Sequence, residues 1–493
     1  PARSSPRPPG VCYHCPSTAS PPWGNGRMSE AETTHTPARG ARGTDLTTGS
    51  VPRHLLAFSL PILMGSLLHT AYMVVNAVWI GRFLGTEAMS AITVTFPVFF
   101  VLMAVAGGLT QATSILVSQA YGARDHDGVA RVIGNSTVLI GLVAALCLAA
   151  GMAGAGPVLR AMRTPPEVLP IAVSYFRVFL WTTPFMFGVF LLASALRGVG
   201  DSRTPLWFQG GSLLLTAALD PLLMFGGLGL PRLGLNGTAY ATILSQALAL
   251  GALVWHLRRR GHIAAPGGRR LRLDGPTTRV TLRIGVPSML QQLLVSVGMM
   301  VIVGLVNPFG AHSSAAFGIA MRIDQIAFMP AMAVGMAVAA LAGQNIGAGR
   351  HDRVREVFRS GVALSCGLTS LAAVLAFCLP AWLMGLFTTE ADVIAVGATY
   401  LRVASLGYLL FAVMFAGNGV VNGAGHTGAT TVFTFIAFWA VRIPVAAFLS
   451  GHWGRVEGVW YGNLAGLAVG MVVSLAYYFS GRWKKPVIRR AAP

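Results

Sequence analysis

Charged side chains are scarce in this sequence. Asp, Glu, Lys and Arg make up only 11% of its 493 residues, whereas a soluble domain carries about 25%. Hydrophobic residues make up 54%, and the mean hydropathy is +0.64. Long apolar runs recur along the chain, so a single membrane anchor is excluded. The composition predicts an integral membrane protein that crosses the bilayer many times.

Acidic residues are less than half as numerous as basic residues. There are 16 Asp and Glu against 36 Lys and Arg, which gives a formal net charge of +20. The arginines cluster in short segments beside apolar runs, which is the pattern of cytoplasmic membrane loops and not of a nucleic-acid surface. Five cysteines give no disulfide framework. The pair Cys12 and Cys15 lacks the second pair that a structural zinc site needs.

The N-terminal region lacks the apolar core of a signal peptide. Its first 27 residues are rich in Pro, Ser and Gly, and the first methionine is Met28. We expect translation to start at Met28. We also expect residues 1–50 to form a disordered tail, because they hold too little apolar surface to bury.

Twelve apolar segments are each long enough to span a bilayer, which takes roughly 20 residues. They predict an all-α integral membrane protein, multi-pass in the plasma membrane, with both termini in the cytoplasm. The predicted domains are an N-terminal bundle (51–256), a basic cytoplasmic linker (257–283), a C-terminal bundle (284–480) and a basic tail (481–493). The twelve segments lie near 55–79, 91–117, 133–153, 170–195, 205–227, 237–256, 284–306, 314–340, 360–380, 397–420, 428–449 and 458–479.

The sequence repeats itself at a fixed offset of 225 residues. GTEAMSA at Gly85 matches GAHSSAA at Gly310, SQAYGARDHD at Ser118 matches GQNIGAGRHD at Gly343, and LRGVGD at Leu196 matches VNGAGH at Val421. Six helices per repeat give both halves the same orientation. The twelve helices are therefore predicted to form two six-helix bundles related by pseudo-two-fold symmetry, the architecture of alternating-access transporters with parallel repeats.

Only two acids, Asp220 and Asp324, lie inside long apolar segments. A carboxylate at that depth costs about 2.5–3.5 kcal/mol on insertion scales and usually handles ions or protons. Thr216 shares a helix face with Asp220, and Pro221 removes a backbone hydrogen bond beside it. The alternative is that each acid only ties helices together. Asp324 is expected to bond across the C-terminal half, with Gln291 or Gln292 as partner.

Several motifs resemble the multidrug and toxic compound extrusion (MATE) family, nearer its DinF-like branch. They are SLPILMGSLLHTAYMVVNAVWIGRFLGTEAMSA, the two Gln-x-x-Gly loops, LRGVGDSRTP, LDPLLMFGGLG, GLNGTAYAT and MRIDQIAFMPA, and they cover about residues 50–480. The resemblance implies export of cationic or amphipathic small molecules in exchange for H⁺ or Na⁺, with no other cofactor. It also implies a monomer, which membrane lipid would surround.

The resemblance assigns an ion-coupling cluster to the N-terminal half. The family's conserved Asp before Pro matches Asp220, its polar partner falls on Thr216, and its threonine in the following helix on Thr238. The acid of its first helix, however, falls on Asn76. His69 and Tyr72 share a helix face with Asn76. Because histidine titrates near neutral pH, His69 is a candidate substitute; otherwise it bonds a carbonyl or faces headgroups.

Candidate residues of an adaptable substrate cavity are Phe96, Gln291, Gln292, Met299 and Asp324. Arg442 is expected to extend its guanidinium towards a membrane interface. Two alternatives to a drug exporter are a lipid-linked oligosaccharide or other lipid flippase and a membrane-embedded enzyme. Few internal arginines argue against the flippase. Short loops without a nucleophile–base or metal-ligand motif argue against the enzyme.

Overall fold

A computed structural model describes residues 43–226, 232–267 and 271–484, and these residues form fifteen α-helices. The N-terminal half contains α1 (Val51–Phe83), α2 (Gly85–Gly122), α3 (His126–Ala161), α4 (Leu169–Leu180), α5 (Thr183–Gly198), α6 (Arg203–Phe225) and α7 (Leu235–Arg259). The C-terminal half contains α8 (Gly275–Val306), α9 (Ala311–Gly347), α10 (His351–Cys378), α11 (Pro380–Gly385), α12 (Ala391–Gly423), α13 (Thr427–Phe435), α14 (Ile443–Trp453) and α15 (Glu457–Phe479).

Eleven helical segments within this part of the chain are long and apolar enough to cross a membrane. A twelfth span is the pair α4 and α5, which is bent by 45° at the break between them. The eleventh predicted span is continuous through a π-helical stretch, Ile436–Arg442, that joins α13 to α14. The predicted fold class, an all-α membrane protein with two six-span bundles, is confirmed.

The linker is shorter than the sequence analysis predicted. Helix α8 begins at Gly275, nine residues before the predicted 284. The Asp274 carboxylate caps this helix by accepting bonds from the Thr277 backbone N–H and hydroxyl, and Pro276 pre-sets the first turn. The Thr277 hydroxyl, then its N–H, hold the pKa of Asp274 below the usual range. Residues 268–270 of the linker lie outside the described part of the chain.

The first helix of each half crosses onto the other half. Val51, Leu55 and Phe58 of α1 pack in one buried cluster with Val338 of α9 and Val357 of α10. The matching part of α8 packs Ile284 against Ile115 and Leu116 of α2. Both crossings lie at the end of the molecule where α2, α5, α9 and α12 finish. We call this end, with its loops 123–125, 199–202, 348–350 and 424–426, the closed end.

Residues 43–50 are ordered, contrary to the predicted disorder of the whole segment 1–50. Leu46 is only 2% exposed, and its backbone N–H donates to Gln344 Oε1 at 3.0 Å. Guanidinium groups of Arg350 and Arg353 donate to carbonyls of residues 47–49. A short polar stretch is thus held by backbone bonding and one buried leucine, although its own composition is poor in apolar residues. Residues 1–42, which include Met28, Cys12 and Cys15, and residues 485–493 lie outside the described residues.

Candidate ion-coupling site

Asp220 lies in the last two turns of α6, fully buried against α1. Its Oδ2 atom accepts a hydrogen bond from Asn76 Nδ2 at 2.9 Å and from the Tyr72 hydroxyl at 3.4 Å. Asn76 and Tyr72 are four residues apart on α1, so both side chains reach the same carboxylate. The structure therefore brings Asp220, Asn76 and Tyr72 together across two helices.

The second oxygen of this carboxylate is different. Asp220 Oδ1 is buried and has no hydrogen-bond partner among the described residues. Pro221 follows at once, and because proline has no N–H it also leaves the carbonyl of Ala217 without its helical donor. A buried acceptor without a partner costs about 1–3 kcal/mol. This site therefore retains unfilled capacity to accept a proton or a cation.

The two threonines assigned to the cluster bond to their own helices. Thr216 is buried, and its hydroxyl donates to the Ser212 carbonyl at 2.8 Å. The hydroxyl of Thr238 donates to the Leu235 carbonyl at 3.0 Å. Both threonines therefore line the region near Asp220, but their hydroxyls donate to carbonyls of their own helices and not to the carboxylate. The side chain of His69 is exposed on α1, and no contact joins it to Asp220 in the described structure.

Tyr175 of α4 is a member of this region that sequence reasoning missed. It is buried and lies within electrostatic reach of Asp220 and beside Thr238. A signal was available in the repeat, because position 175 matches Tyr400 at the offset of 225. Tyr400 is itself bound to a buried acid in the other half.

That other acid, Asp324 of α9, is 7% exposed and has both oxygens filled. Tyr400 donates to Asp324 Oδ2 at 2.5 Å, and Tyr408 donates to Asp324 Oδ1 at 2.6 Å. The expected partners Gln291 and Gln292 are wrong, since Gln291 instead donates to the Thr434 hydroxyl at 3.0 Å. Both tyrosines lie on α12, two turns apart, so they clamp the carboxylate from one helix.

Arg442 is buried at the end of the π-helical stretch, which corrects the expectation that it extends to an interface. Its Nε donates to Asn463 Oδ1 at 2.5 Å, and its guanidinium stacks over the Phe438 ring at 4.5 Å. It also lies within electrostatic reach of Asp324. This half thus holds a buried acid bound by two tyrosine hydroxyls and, within its electrostatic reach, a buried arginine bound to Asn463.

The remaining cavity candidates are not joined by any contact in the described structure. Phe96 is 40% exposed on α2 and packs edge-on against Phe100. Gln292 is exposed on α8, and Met299 is partly buried on the same helix. Asp324 is enclosed by tyrosines and presents no free oxygen. No group of three or more His, Cys, Asp or Glu suited to a metal ion occurs in the residues that the structure describes.

Comparison with known proteins identifies the class to which this twelve-span fold belongs. The MatE family model matches residues 61–222 and 287–448, one segment in each half. The chain belongs to the MATE family, and it is a membrane transporter and not an enzyme.

Relatives match over nearly the whole chain. Probable multidrug resistance protein YoeA of Bacillus subtilis is 33% identical over 90% of this chain and 96% of its own length. YpnP of the same organism, also a probable multidrug resistance protein, is 33% identical over 89% of this chain and 97% of its own. A crystal structure of MATE in complex with MaL6 superposes with a TM-score of 0.83 at 22% identity, covering 89% of this chain and 98% of that one.

Proposed function

We propose that this protein is a secondary active efflux antiporter of the DinF-like branch. It exports cationic or amphipathic small molecules from the cytoplasm in exchange for protons. Its relatives YoeA and YpnP, both probable multidrug resistance proteins, support the substrate class. The motifs LRGVGDSRTP and MRIDQIAFMPA support the branch.

The observation that carries the coupling role is the unpartnered Oδ1 of Asp220. A sodium ion prefers several oxygen ligands, but both neighbours of this carboxylate donate hydrogen to it. A proton on Oδ1 needs one acceptor oxygen and also removes the buried charge. Proton exchange is therefore the chemistry that this site supports best.

Asn76 suits a site that cycles between two protonation states. Its amide has no charge to change, and its Nδ2 group donates to Asp220 Oδ2. That bond can be kept when a proton binds the other oxygen, Asp220 Oδ1. Other members of the family have an acid at position 76. That acid can share the proton with the acid at position 220, and its own charge changes when it does so. We propose that Asn76 and Tyr72 hold Asp220, that Thr216 and Thr238 form the surrounding wall, and that His69, exposed on α1, lies outside it.

The transport cycle follows from the two halves. The bundles 51–256 and 284–480 rock about a central cavity to which Phe96, Gln291, Gln292 and Met299 contribute. The closed end faces the cytoplasm, because it carries the arginine-rich loops. Protonation of Asp220 from the outside lets α1 and α6 repack and lowers affinity for the substrate. The unit of transport is one chain in the plasma membrane, with both termini in the cytoplasm.

Efflux of ethidium from proteoliposomes tests this proposal, with proton and sodium gradients imposed separately. Wild type is expected to export under the proton gradient, and Asp220→Asn to fall to the level of protein-free liposomes. Asp324→Asn is the matched control, since it removes the other buried acid. It is expected to weaken the protein yet keep gradient-dependent export. Export by Asp220→Asn at the wild-type rate, or export driven by sodium alone, would contradict the proposal.

A further inference from the structure

The two Gln-x-x-Gly loops take no part in the coupling site, yet they meet each other at the closed end. The first comprises Gln119 and Gly122 at the end of α2, and the second Gln344 and Gly347 at the end of α9. Each glutamine reaches across to the other half. Gln119 Nε2 donates to the Gly423 carbonyl at 2.7 Å, and Gln344 Nε2 donates to the Gly198 carbonyl at 2.9 Å.

These two bonds are images of each other. Residues 119 and 344 are separated by the repeat offset of 225, and so are residues 198 and 423. Gly198 and Gly423 are the last residues of α5 and α12. The last carbonyls of a helix have no partner within it. Each glutamine therefore caps a helix of the opposite half.

The glycines allow the approach. A Cβ atom on Gly122 would lie 1.9 Å from the Gln344 carbonyl oxygen, and a Cβ on Gly347 would lie 2.0 Å from the Gln119 carbonyl oxygen. The backbones of α2 and α9 are thus in direct contact, and any side chain at these positions would hold them apart. The motif combines a glycine for the contact with a glutamine three residues earlier for the cap.

The symmetry is broken by residues 43–50, which we call the strap. The strap touches both halves within three residues: the Thr44 N–H donates to the Val199 carbonyl at 3.0 Å, and the Leu46 N–H to Gln344 Oε1 at 3.0 Å. Asn345 Nδ2 donates to the Leu46 carbonyl at 3.3 Å. Both ends of the Gln344 amide are therefore engaged, whereas only Nε2 of Gln119 bonds within the described residues.

We propose that Gln119 and Gln344 are reciprocal latches that shut the closed end, and that the strap locks only the Gln344 latch. The inference rests on alternating access as the proposed function. When the halves separate at this end, both glutamine bonds break. The strap must then leave either Val199 or Gln344, because its two contacts lie on different halves. The latches act on access to the cavity and do not touch substrate.

The test measures conformation directly, without substrate or ion gradient, so its failure is separate from failure of the export assay. All five cysteines are replaced by alanine, and spin labels are attached at Arg131→Cys and Glu356→Cys. These two exposed positions are themselves repeat equivalents on α3 and α10 of the closed end. Double electron–electron resonance in lipid nanodiscs then reports the distance between the halves.

Gln119→Met and Gln344→Met remove the amide while keeping nearly the same shape. Because a hydrogen bond contributes about 1 kcal/mol, each variant is expected to raise the ratio of open to closed molecules about fivefold. Gln111→Met, also on α2 but two turns from the latch, is the control and is expected to match wild type. Unchanged distances in both latch variants, or an equal change in the control, would overturn the latch assignment.

A spin label at the exposed Thr48→Cys reports the mobility of the strap, and so tests the strap independently of the latches. Gln344→Met is expected to make this label mobile in continuous-wave spectra, because Leu46 loses its acceptor. Gln119→Met is expected to leave the label as immobile as in wild type while the two halves still fluctuate. Arg350→Gln with Arg353→Gln, which removes the guanidinium bonds to the carbonyls of residues 47–49, should also free the label and widen the 131–356 distance. Equal mobility in all variants would refute the asymmetric lock.

Discussion

Asp220 and Asp324 are both buried acids, but their oxygens are treated in opposite ways. Each oxygen of Asp324 accepts from one tyrosine hydroxyl, whereas Asp220 keeps one oxygen without a partner. A carboxylate with a donor on each oxygen in a fixed network gains rigidity from its surroundings. A carboxylate with a vacant acceptor can change its proton without dismantling the bonds on its other oxygen. The environment of Asp324 therefore suits a residue that holds helices together, and that of Asp220 suits a residue that binds and releases a proton.

Removing one hydroxyl from the Asp324 clamp should destabilise the protein. Tyr400→Phe and Tyr408→Phe each leave one carboxylate oxygen buried without its donor, and hydrogen bonds to charged groups contribute about 1.5–3 kcal/mol. We expect a lower temperature of thermal unfolding in detergent with gradient-driven export retained. Tyr461→Phe, at an exposed tyrosine of α15, is the matched control. An unfolding temperature equal to that of the control would show that the clamp contributes nothing.

Asn76→Asp should change the number of protons that the site holds. The new carboxylate would face Asp220 at the 2.9 Å contact now made by the Asn76 amide, and two carboxylates that close share one proton. We expect one additional proton to stay bound near neutral pH. Proton release measured on adding ethidium to detergent-solubilised protein should therefore differ from wild type. Identical release curves would mean that the variant side chain turns away from Asp220.

Sequence reasoning anticipated part of the cluster around Asp220 for a clear physical reason. Helical spacing placed Tyr72 and Asn76 on one face, and an acid in an apolar run directed attention to Asp220. The spacing of residues does not determine which acceptor a hydroxyl donates to. It therefore could not show that Thr216 and Thr238 bond to carbonyls of their own helices. Tyr175 was missed because a tyrosine in an apolar helix carries no local signal. Partners of Asp324 were assigned wrongly because pairing across helices depends on their packing.

At the scale of elements, hydropathy predicted every span but not its irregularities. The bilayer imposes a length and a polarity that are visible in sequence, so the twelve segments agree with the twelve spans when α4 and α5 count as one. The bend between α4 and α5 and the π-helical stretch at Ile436–Arg442 change backbone geometry within apolar segments. Composition is the same on both sides of such a break. The early start of α8 was missed because the arginines of its first turns indicated a loop, whereas the cap at Asp274 indicated a helix.

Adding a methyl group to either glycine of the contact should hold the two halves apart. In Gly122→Ala or Gly347→Ala the new Cβ would overlap a carbonyl oxygen of the facing helix, and overpacking typically costs about 1–3 kcal/mol. We expect longer distances between labels at positions 131 and 356. Gly107→Ala on α2 and Gly318→Ala on α9 are controls, since a Cβ at either site meets no atom within 4 Å. Short distances in all four variants would contradict this reading of the motif.

At the scale of the whole molecule, the strap ties the start of the chain to both halves. Asp45 lies within it and faces Thr47, Arg124, Arg350 and Tyr121. Burial alone would raise the pKa of Asp45. The Thr47 hydroxyl and N–H, together with the two guanidinium groups, outweigh burial and hold the pKa below the usual 3.8. The ionised form therefore favours the docked strap.

Strap docking should consequently depend on pH in one direction. A carboxylate with a lowered pKa stabilises the docked state fully above 3.8, and this contribution is lost as pH falls through the lowered value. We expect the label at Thr48→Cys to become mobile over that acidic range in nanodiscs. Asp45→Asn should give a label that is more mobile at neutral pH and insensitive to this titration. A pH response that persists in Asp45→Asn would assign the effect to another group.

The contact between Gly122 and Gln344, repeated by Gly347 and Gln119, is self-complementary. One surface carries both the glycine and the glutamine, and it meets a copy of the same surface turned by half a revolution. This is the geometry of an isologous homodimer interface, in which residue i meets j and j meets i. Each half of the chain carries both elements of the contact, a glycine at the end of its helix and a glutamine three residues earlier. The covalent linker between the halves contributes no atom to it.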